Sequence, residues 1–231
     1  MPSPRFLTPD LDQLPPDGTG RLQLPASEAH HAKRVLRLAD GSPVELLDGA
    51  GRSASGVLID GSSVEVTAVT QHPRPSISVT VLAALPKGPR ADQMIDQLTQ
   101  LGVRRFVPLL TRRSQPEPKA ARLDKLRRGV ETAVKQSGNP WAMTIGPATP
   151  LPDSFDLPGS RWLADRADHA DPSAPPGHAD THAVWIGPEG GWSDDERAAA
   201  YDTGLQPLTL APYTLRVETA AVVAAARWLQ P

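Results

Sequence analysis

Two stretches of the chain gather residues able to do chemistry. The first reads His182-Ala-Val-Trp-Ile-Gly-Pro-Glu-Gly-Gly-Trp-Ser-Asp-Asp-Glu196, and the second reads Thr214-Leu-Arg-Val-Glu-Thr-Ala220. In the first, a short apolar run meets a turn with three glycines and then a helix start. Ser193 and Glu196 have capping-box spacing, and Asp194 and Asp195 add negative charge to the helix N-terminus. A glycine turn between strand and helix lets backbone come close to a ligand. A phosphate cradle wants a positive loop, whereas this turn holds Glu189 and leads into three more acids. That points to a ligand with a cationic or neutral centre rather than a nucleotide triphosphate. In the second stretch Arg216, Glu218 and Thr219 set a cation, a carboxylate and a hydroxyl at a helix start. Such an arginine can hold a phosphate or a base carbonyl, and such a glutamate can accept a proton or orient a base. Plainer readings stay open: glycines that only serve a tight connection, and a Glu218 that only complements the helix dipole.

These stretches need elements to position them. From Ile77 onward strands and helices alternate. Ser78–Leu85 reads as a continuous apolar strand, as in a parallel sheet covered on both faces. Arg90–Leu101 reads as a helix with Met94, Ile95, Leu98 and Leu101 on one face, stopped by Gly102. After a strand at Arg105–Leu110, a helix spans Lys119–Gln136. It carries Leu123, Leu126, Val130, Ala133 and Val134 inward, and Arg122, Lys125, Arg127, Arg128 and Lys135 outward. Short strands follow at Trp141–Ile145, Arg161–Ala164, Ala183–Ile186 and Pro207–Leu210, with helices at Asp194–Tyr201 and Val217–Leu229. The alternation predicts an α/β domain with a mostly parallel sheet. Ligands sit at the carboxyl ends of such strands, where Gly187–Gly191 and Ala211–Arg216 should both fall.

Residues 1–72 read differently. Asp40-Gly41, Asp48-Gly49 and Asp60-Gly61 are turn signals around short apolar stretches at Val44–Leu47, Ser55–Ile59 and Ser63–Val69. One helix runs from the cap Ser27 to Val35, which together suggests a small barrel. His30, His31, Arg34 and Arg37 form a basic patch, with Arg34 and Arg37 on one helix face. Gln71–Pro75 is an extended linker, giving domains at 1–72 and 77–231 joined by 73–76.

The 231 residues carry a net charge of −2 that hides strong segregation. Residues 1–72 are net −3, residues 73–150 net +8 and residues 151–231 net −7. A basic middle third suits a polyanion such as nucleic acid, the alternative being a solvated helix face. With no cysteine, thiol catalysis, disulfides and cysteine metal sites are excluded. The six histidines show no metal-ligand spacing; His169, His178 and His182 read as a surface cluster. Trp141, Trp192 and Tyr213 are candidates for base stacking, and Trp185 and Trp228 for core packing. No secretory signal is visible at the start, and no apolar run nears the roughly 20 residues of a membrane span. A cytoplasmic location follows by default.

Taken together these residues resemble the bacterial small-subunit ribosomal RNA uracil-N3 methyltransferases, the RsmE family of the SPOUT superfamily. The resemblance runs in order along nearly the whole chain. It takes in His30-His31-x-x-x-Val35-Leu-Arg37 with Gly41, Ala84-Leu-Pro-Lys-Gly88, Leu101-Gly-Val103, Thr111-x-x-Ser114 and Lys135-Gln-Ser137. It continues through Ile186-Gly-Pro-Glu-Gly-Gly191 with Glu196, and Leu215-Arg-Val-Glu-Thr-Ala220.

The resemblance implies a PUA-like RNA-binding barrel followed by a SPOUT domain with a trefoil knot, helices on both faces of its sheet, in a homodimer without metal. It implies S-adenosyl-L-methionine as cofactor, against Leu163, Ile186, Gly187, Pro188, Glu189, Gly190, Gly191, Leu210, Ala211, Leu215 and Thr219. Arg216 and Glu218 become the catalytic candidates, and His30, Arg34, Arg37, Lys87, Arg112 and Arg113 the RNA contacts. The substrate implied is 16S ribosomal RNA or the small subunit, methylated at uridine N3 of position 1498. The chain departs from the family pattern at Ala211 and Tyr213, where Gly and Arg are usual, and at Gln97, Gln100 and Asn139, each a lost charge. Two rivals remain: a non-catalytic RNA-binding or ribosome-assembly protein of the same fold, and a SPOUT methyltransferase with another RNA target.

Overall fold

The structure, a computed structural model, describes residues 3–14, 18–165 and 179–229. Two compact units emerge: residues 1–74 with 131–142, and residues 75–130 with 143–231. The second unit holds the parallel sheet. Its strands are β6 (Ser78–Ala83), β7 (Arg105–Leu110), β8 (Thr144–Ile145), β10 (Ser160–Ala164), β11 (Thr181–Ile186) and β12 (Gln206–Leu208), in spatial order β12-β10-β11-β6-β7-β8. A short β9 (Thr149–Pro150) pairs with β7, and among the described residues every strand pairing in this unit is parallel. Its helices are α2 (Pro89–Leu101), α4 (Asp194–Asp202) and α5 (Val217–Ala226).

Register sorts the side chains into two rows. Leu163, Trp185, Leu82 and Val107 stand opposite one another, and Trp162, Val184, Val81 and Phe106 form the next row. Successive strand residues face opposite sides, so the rows lie on opposite faces. The Leu163 row packs with Ala200 of α4, Phe155 and Leu151. The buried Trp185 indole N–H donates to Ser154 Oγ at 2.8 Å. Across the sheet Trp162 packs against Trp228, just beyond α5, and α5 turns Ala220, Ala221, Ala224 and Ala225 inward. Small side chains let α5 lie close over β6 and β11.

Among the described residues the first unit is a five-stranded sheet in the order β1-β3-β4-β5-β2, with β1 and β2 at its two ends. Its strands are β1 (Arg5–Leu7), β2 (Gly20–Gln23), β3 (Pro43–Leu47), β4 (Arg52–Ile59) and β5 (Ser63–Gln71), with α1 (Ala26–His30) between β2 and β3. Phe6, Leu11, Leu22, Leu46, Leu58 and Val64 form its core. The last turns of α3 (Ala120–Ser137) belong here too. Lys135 Nζ reaches the buried Glu28 at 2.6 Å, and Arg5 Nη1 donates to the Gln136 carbonyl at 3.1 Å. That guanidinium satisfies a carbonyl at the helix end that has no intrahelical donor. Gly138, with φ 76°, leaves room for it: a Cβ there would stand 2.7 Å from Arg5 Cζ.

Several sequence expectations need correction. β1 and β2 arise from segments with no alternating pattern. Trp141–Ile145 is not one strand: Trp141 makes an isolated bridge to Ala50, with Asn139 Oδ1 accepting from its backbone N–H at 2.9 Å. β12 stops at Leu208 and α5 at Ala226. Lys135 and Arg122 are part-buried rather than solvated, while Lys125 stays exposed; Arg122 and Lys125 both bind Asp92, at 2.7 and 2.8 Å. His169 and His178 lie outside the described residues. His182 is buried, because its ring stacks on Trp228 at 4.8 Å and 18°. Among the described residues no helix is long and apolar enough to cross a membrane, and no group of three or more His, Cys, Asp or Glu stands ready for a metal.

Burial lowers the His182 pKa below its usual 6.5, against the opposing pull of the Ala179 carbonyl and Asp180. The fold therefore favours the neutral ring, and the unfolded chain takes up the proton first. Stability is complete above pH 6.5 and falls as the pH drops below it. Thermal melts should show a loss of about 2–4 °C for each 1 kcal/mol of this linkage in a chain of this size. His182→Phe, which stacks but does not titrate, should flatten that part of the profile.

Candidate active site at the carboxyl edge of the parallel sheet

Because all strands of the second unit run one way, their carboxyl ends share one edge. β11 delivers Gly187–Gly191, β12 delivers Thr209–Arg216, β10 delivers Asp165, β6 delivers Lys87–Arg90 and β7 delivers Thr111–Ser114. Chain order reverses between β6 and β11, the place where open α/β sheets hold their ligands.

The glycine turn is shaped from several sides. A Cβ at Gly187 would stand 3.0 Å from the Trp192 indole, and one at Gly190 would stand 3.2 Å from Arg113 Cβ. Only Gly191, with φ 69°, uses the left-handed region, and its N–H closes the turn on the Pro188 carbonyl at 2.8 Å. The Trp192 indole N–H donates to the Ala164 carbonyl at 2.9 Å, tying the turn to the end of β10. Arg113 Nη1 donates to the Gly190 carbonyl at 2.8 Å. Ser193 and Glu196 form the capping box, with the Ser193 N–H donating to Glu196 Oε2 at 2.9 Å. The Arg112 N–H donates to the other Glu196 oxygen at 2.7 Å. Burial pushes the Glu196 carboxyl up, but these N–H groups and the Arg113 charge outweigh it and hold its pKa below 4.5.

Arg90 joins the two chemical stretches. Its Nη2 stands 3.5 Å from Glu189 Oε1 and its Nη1 stands 3.9 Å from Glu218 Oε1. Glu218 is buried in the first turn of α5, and its Oε2 has no hydrogen-bond partner. Thr209 Oγ1, just past β12, is also buried and unpartnered. Thr111 Oγ1, at the end of β7, is a third such atom, and orphaned polar atoms on one strand edge mark a place where a ligand group can complete the bonding. Arg216 is the exposed N-cap of α5, with Thr219 exposed one turn on.

The expected cofactor residues divide accordingly. Gly187, Pro188, Glu189, Gly190, Gly191, Leu210, Ala211, Leu215 and Thr219 lie on the edge loops, with Ile186 at the strand end. Leu163 is fully buried in the core, one residue short of the edge. Among the expected RNA contacts Lys87, Arg112 and Arg113 lie on this edge, and His30, Arg34 and Arg37 lie on the first unit. All six are exposed. Arg112 also pairs with Asp195 at 3.1 Å. Arg37 leaves the helix with φ 53° and so does not share a helical face with Arg34. Trp192 is buried, and base stacking is closed to it; Tyr213 is 83% exposed.

Sequence reasoning missed the cluster behind the turn. Asp165 accepts from Arg197 Nε at 2.8 Å and from the Tyr201 hydroxyl at 2.9 Å. Burial and this carboxylate push the Tyr201 pKa well above 10. Arg197 and Tyr201 sit four apart on α4, so they were readable as one helix face. Nothing in the sequence paired that face with Asp165.

Comparison with known proteins settles the family. The RNA methyltransferase domain family matches residues 72–229, and the RNA methyltransferase PUA domain family matches residues 24–69. Ribosomal RNA small subunit methyltransferase E of Synechocystis sp. is 32% identical, over 88% of this chain and 71% of its own length. That of Mycobacterium tuberculosis is 30% identical, over 93% and 87%. The chain belongs to the RsmE family. Its fold matches that of ribosomal RNA small subunit methyltransferase E of Neisseria gonorrhoeae, bound to S-adenosyl methionine, with a TM-score of 0.84 at 24% identity. The match covers 97% of this chain and 95% of that one.

Within the RsmE fold the departures from the usual pattern take distinct places. Ala211 is half-buried on the β12 loop, and Tyr213 projects to solvent on the same loop. Gln100 bonds Asp96 at 2.8 Å, and Asn139 caps the Trp141 backbone. Gln97 is half-buried on α2.

Asp165 gives a direct test of what holds the site's floor. Asp165→Asn removes the buried one of Arg197's two carboxylates, leaving Asp194 at 2.9 Å, and should cost about 1.5–3 kcal/mol in urea unfolding. It should also bring the Tyr201 titration back toward 10 in an ultraviolet pH titration.

Proposed function

We propose that the chain is an S-adenosyl-L-methionine-dependent methyltransferase of small-subunit ribosomal RNA, acting on uridine N3 at position 1498 of the 16S molecule. The observation that carries this reading is Glu218, a buried carboxylate with an unpartnered oxygen, bridged through Arg90 to an acidic glycine turn. The reading takes with it the knotted, homodimeric form of the family.

The residues suit a sulfonium donor. Glu189 gives the turn a negative charge, Gly187, Gly190 and Gly191 present backbone without side-chain bulk, and Thr209 Oγ1 lacks a partner. Leu210, Ala211 and Leu215 would flank the donor from the β12 loop. When bound, S-adenosyl-L-methionine supplies an electrophilic methyl on a cationic sulfur and departs as a neutral thioether. The chain's own work is on the base. Uracil N3 is a weakly acidic imide, so its proton must leave before the nitrogen lone pair is available. Glu218 takes that proton on Oε2. The charge then spreads to the two uracil oxygens, where Arg216 can stabilise it. Arg90 stands between Glu218 and Glu189 and holds the carboxylate against the turn, which makes it a positioning residue.

Tritium transfer from methyl-labelled cofactor to unmodified small subunits tests the assignment. The native protein should label the RNA, and mass mapping should place the methyl on uridine N3. Glu218→Gln should lower the rate by about 10²–10⁴-fold, the usual worth of a general base. Arg216→Ala should cost about 10²-fold or more. Arg90→Gln should cost about tenfold, with Arg90→Lys recovering part of it. Full transfer by both Arg216→Ala and Glu218→Gln would end the assignment. Tight RNA binding without transfer would favour an assembly protein of the same fold.

A further inference from the structure

The turn that closes α1 carries a feature the methylation chemistry does not use. After His30 the chain winds into a wider π-helical turn, His31–Val35. The Leu36 N–H reaches back five residues to the His31 carbonyl at 3.0 Å, and the Leu38 N–H reaches Ala32 at 3.0 Å. Arg37 between them adopts φ 53°, which side chains other than glycine rarely take. Wide turns of this kind recur at functional sites. On the inner side, Ala32 is fully buried, and Ala29 and Leu38 pack on the core of the first unit. On the outer side, Val35 is 61% and Leu36 is 41% exposed; with Tyr213 they are the exposed large hydrophobics among the described residues.

The surroundings are cationic. His30, Lys33, Arg34 and Arg37 are exposed, and none forms an ion pair among the described residues. No acid stands between Glu28 and Asp40, and Glu28 is buried against Lys135. A stable protein interface covers about 800 Å² per partner, far more than two side chains offer. An RNA with an unstacked base presents both complements in a small space: an apolar base face and flanking phosphates.

We propose that Val35 and Leu36 form an apolar tip that packs against an unstacked base of the RNA substrate, while His30, Lys33, Arg34 and Arg37 hold the adjoining phosphates. The proposal rests on the reading of the chain as an enzyme acting on RNA. The strained Arg37 backbone holds the tip outward, so that apolar contact and phosphate contact come from one rigid turn. Apolar wedges of this type are known to part bases at other nucleic-acid interfaces.

The test uses the full chain and a small-subunit ribosomal RNA stem-loop with 2-aminopurine in its unpaired loop. Binding should change the 2-aminopurine fluorescence. The Val35→Ser/Leu36→Ser double variant should abolish that change and weaken binding about tenfold. It should leave the slope of log affinity against log salt as in the native chain. Arg34→Gln and Arg37→Gly should do the reverse, flattening the slope by about 0.7–0.9 per lost phosphate contact. Glycine at 37 removes the charge and keeps the left-handed backbone. All four positions are exposed, so melting temperatures should hold. Unchanged affinity and fluorescence in the double variant would overturn the proposal. So would dissociation of a native oligomer in that variant, which would make a second copy the occupant. Methyl transfer measured on the same RNA separates the two readings. Transfer without a tip effect sinks the tip alone; a tip effect without transfer sinks the catalytic assignment alone.

Discussion

Every strand in the second unit's sheet runs in the same direction, and the candidate site depends on that. A parallel sheet sends all its carboxyl ends to one edge and satisfies its backbone internally. The loops on that edge are then free to carry polar groups without disturbing the core. The glycine turn, the β12 loop, Asp165 and the Arg90 segment come from four separate parts of the chain, and only parallel pairing brings them together. The rows of Leu163–Trp185–Leu82–Val107 and Trp162–Val184–Val81–Phe106 fix the register, and a slip of one residue would exchange the two faces.

Upon that edge the turn is held by neighbours rather than by its own conformation. Trp192 lies against Gly187 and bonds the end of β10, Arg113 supports the Gly190 carbonyl, and Glu196 is shared between the α4 cap and the β7 loop. Two of the three glycines are required by the closeness of other side chains, and only Gly191 by its φ. The acidity that singled out the turn in the sequence also has a structural part. Glu196 and Asp195 face the two arginines of the β7 loop, so much of that charge is answered within the site's own frame. Glu189 is answered by Arg90, which also faces the one carboxylate placed to take a proton.

How much could be read in the sequence depends on the range of the forces involved. Helix α2, strand β7 and the Ser193 cap are local, written in apolar spacing and in residues three apart, and they stand where expected. β1 and β2 are short end strands whose pairing depends on distant partners, and their residues carry no alternation. Trp141 reads as a strand residue by its neighbours, but Asn139 and the Ala50 bridge claim it. His182 looks like part of a polar loop until Trp228, 46 positions later, stacks on it. Arg90 and Asp165 are the clearest cases: each is one charged residue among many, and only the fold names its partners. The glycine turn and the Leu215–Ala220 segment were legible because their chemistry is concentrated within a few residues.

The last turns of α3 have a different bearing. Lys135 answers the buried Glu28, and Arg5 caps the Gln136 carbonyl, so the first unit is completed by residues encoded 64 and 65 positions beyond the end of β5. That unit is discontinuous along the gene. A segment cut at Arg74 would leave the buried Glu28 without Lys135, and Arg5 with Glu45 but without the carbonyls of α3. Grafting the first unit elsewhere would therefore need both of its pieces, residues 1–74 and 131–142, together.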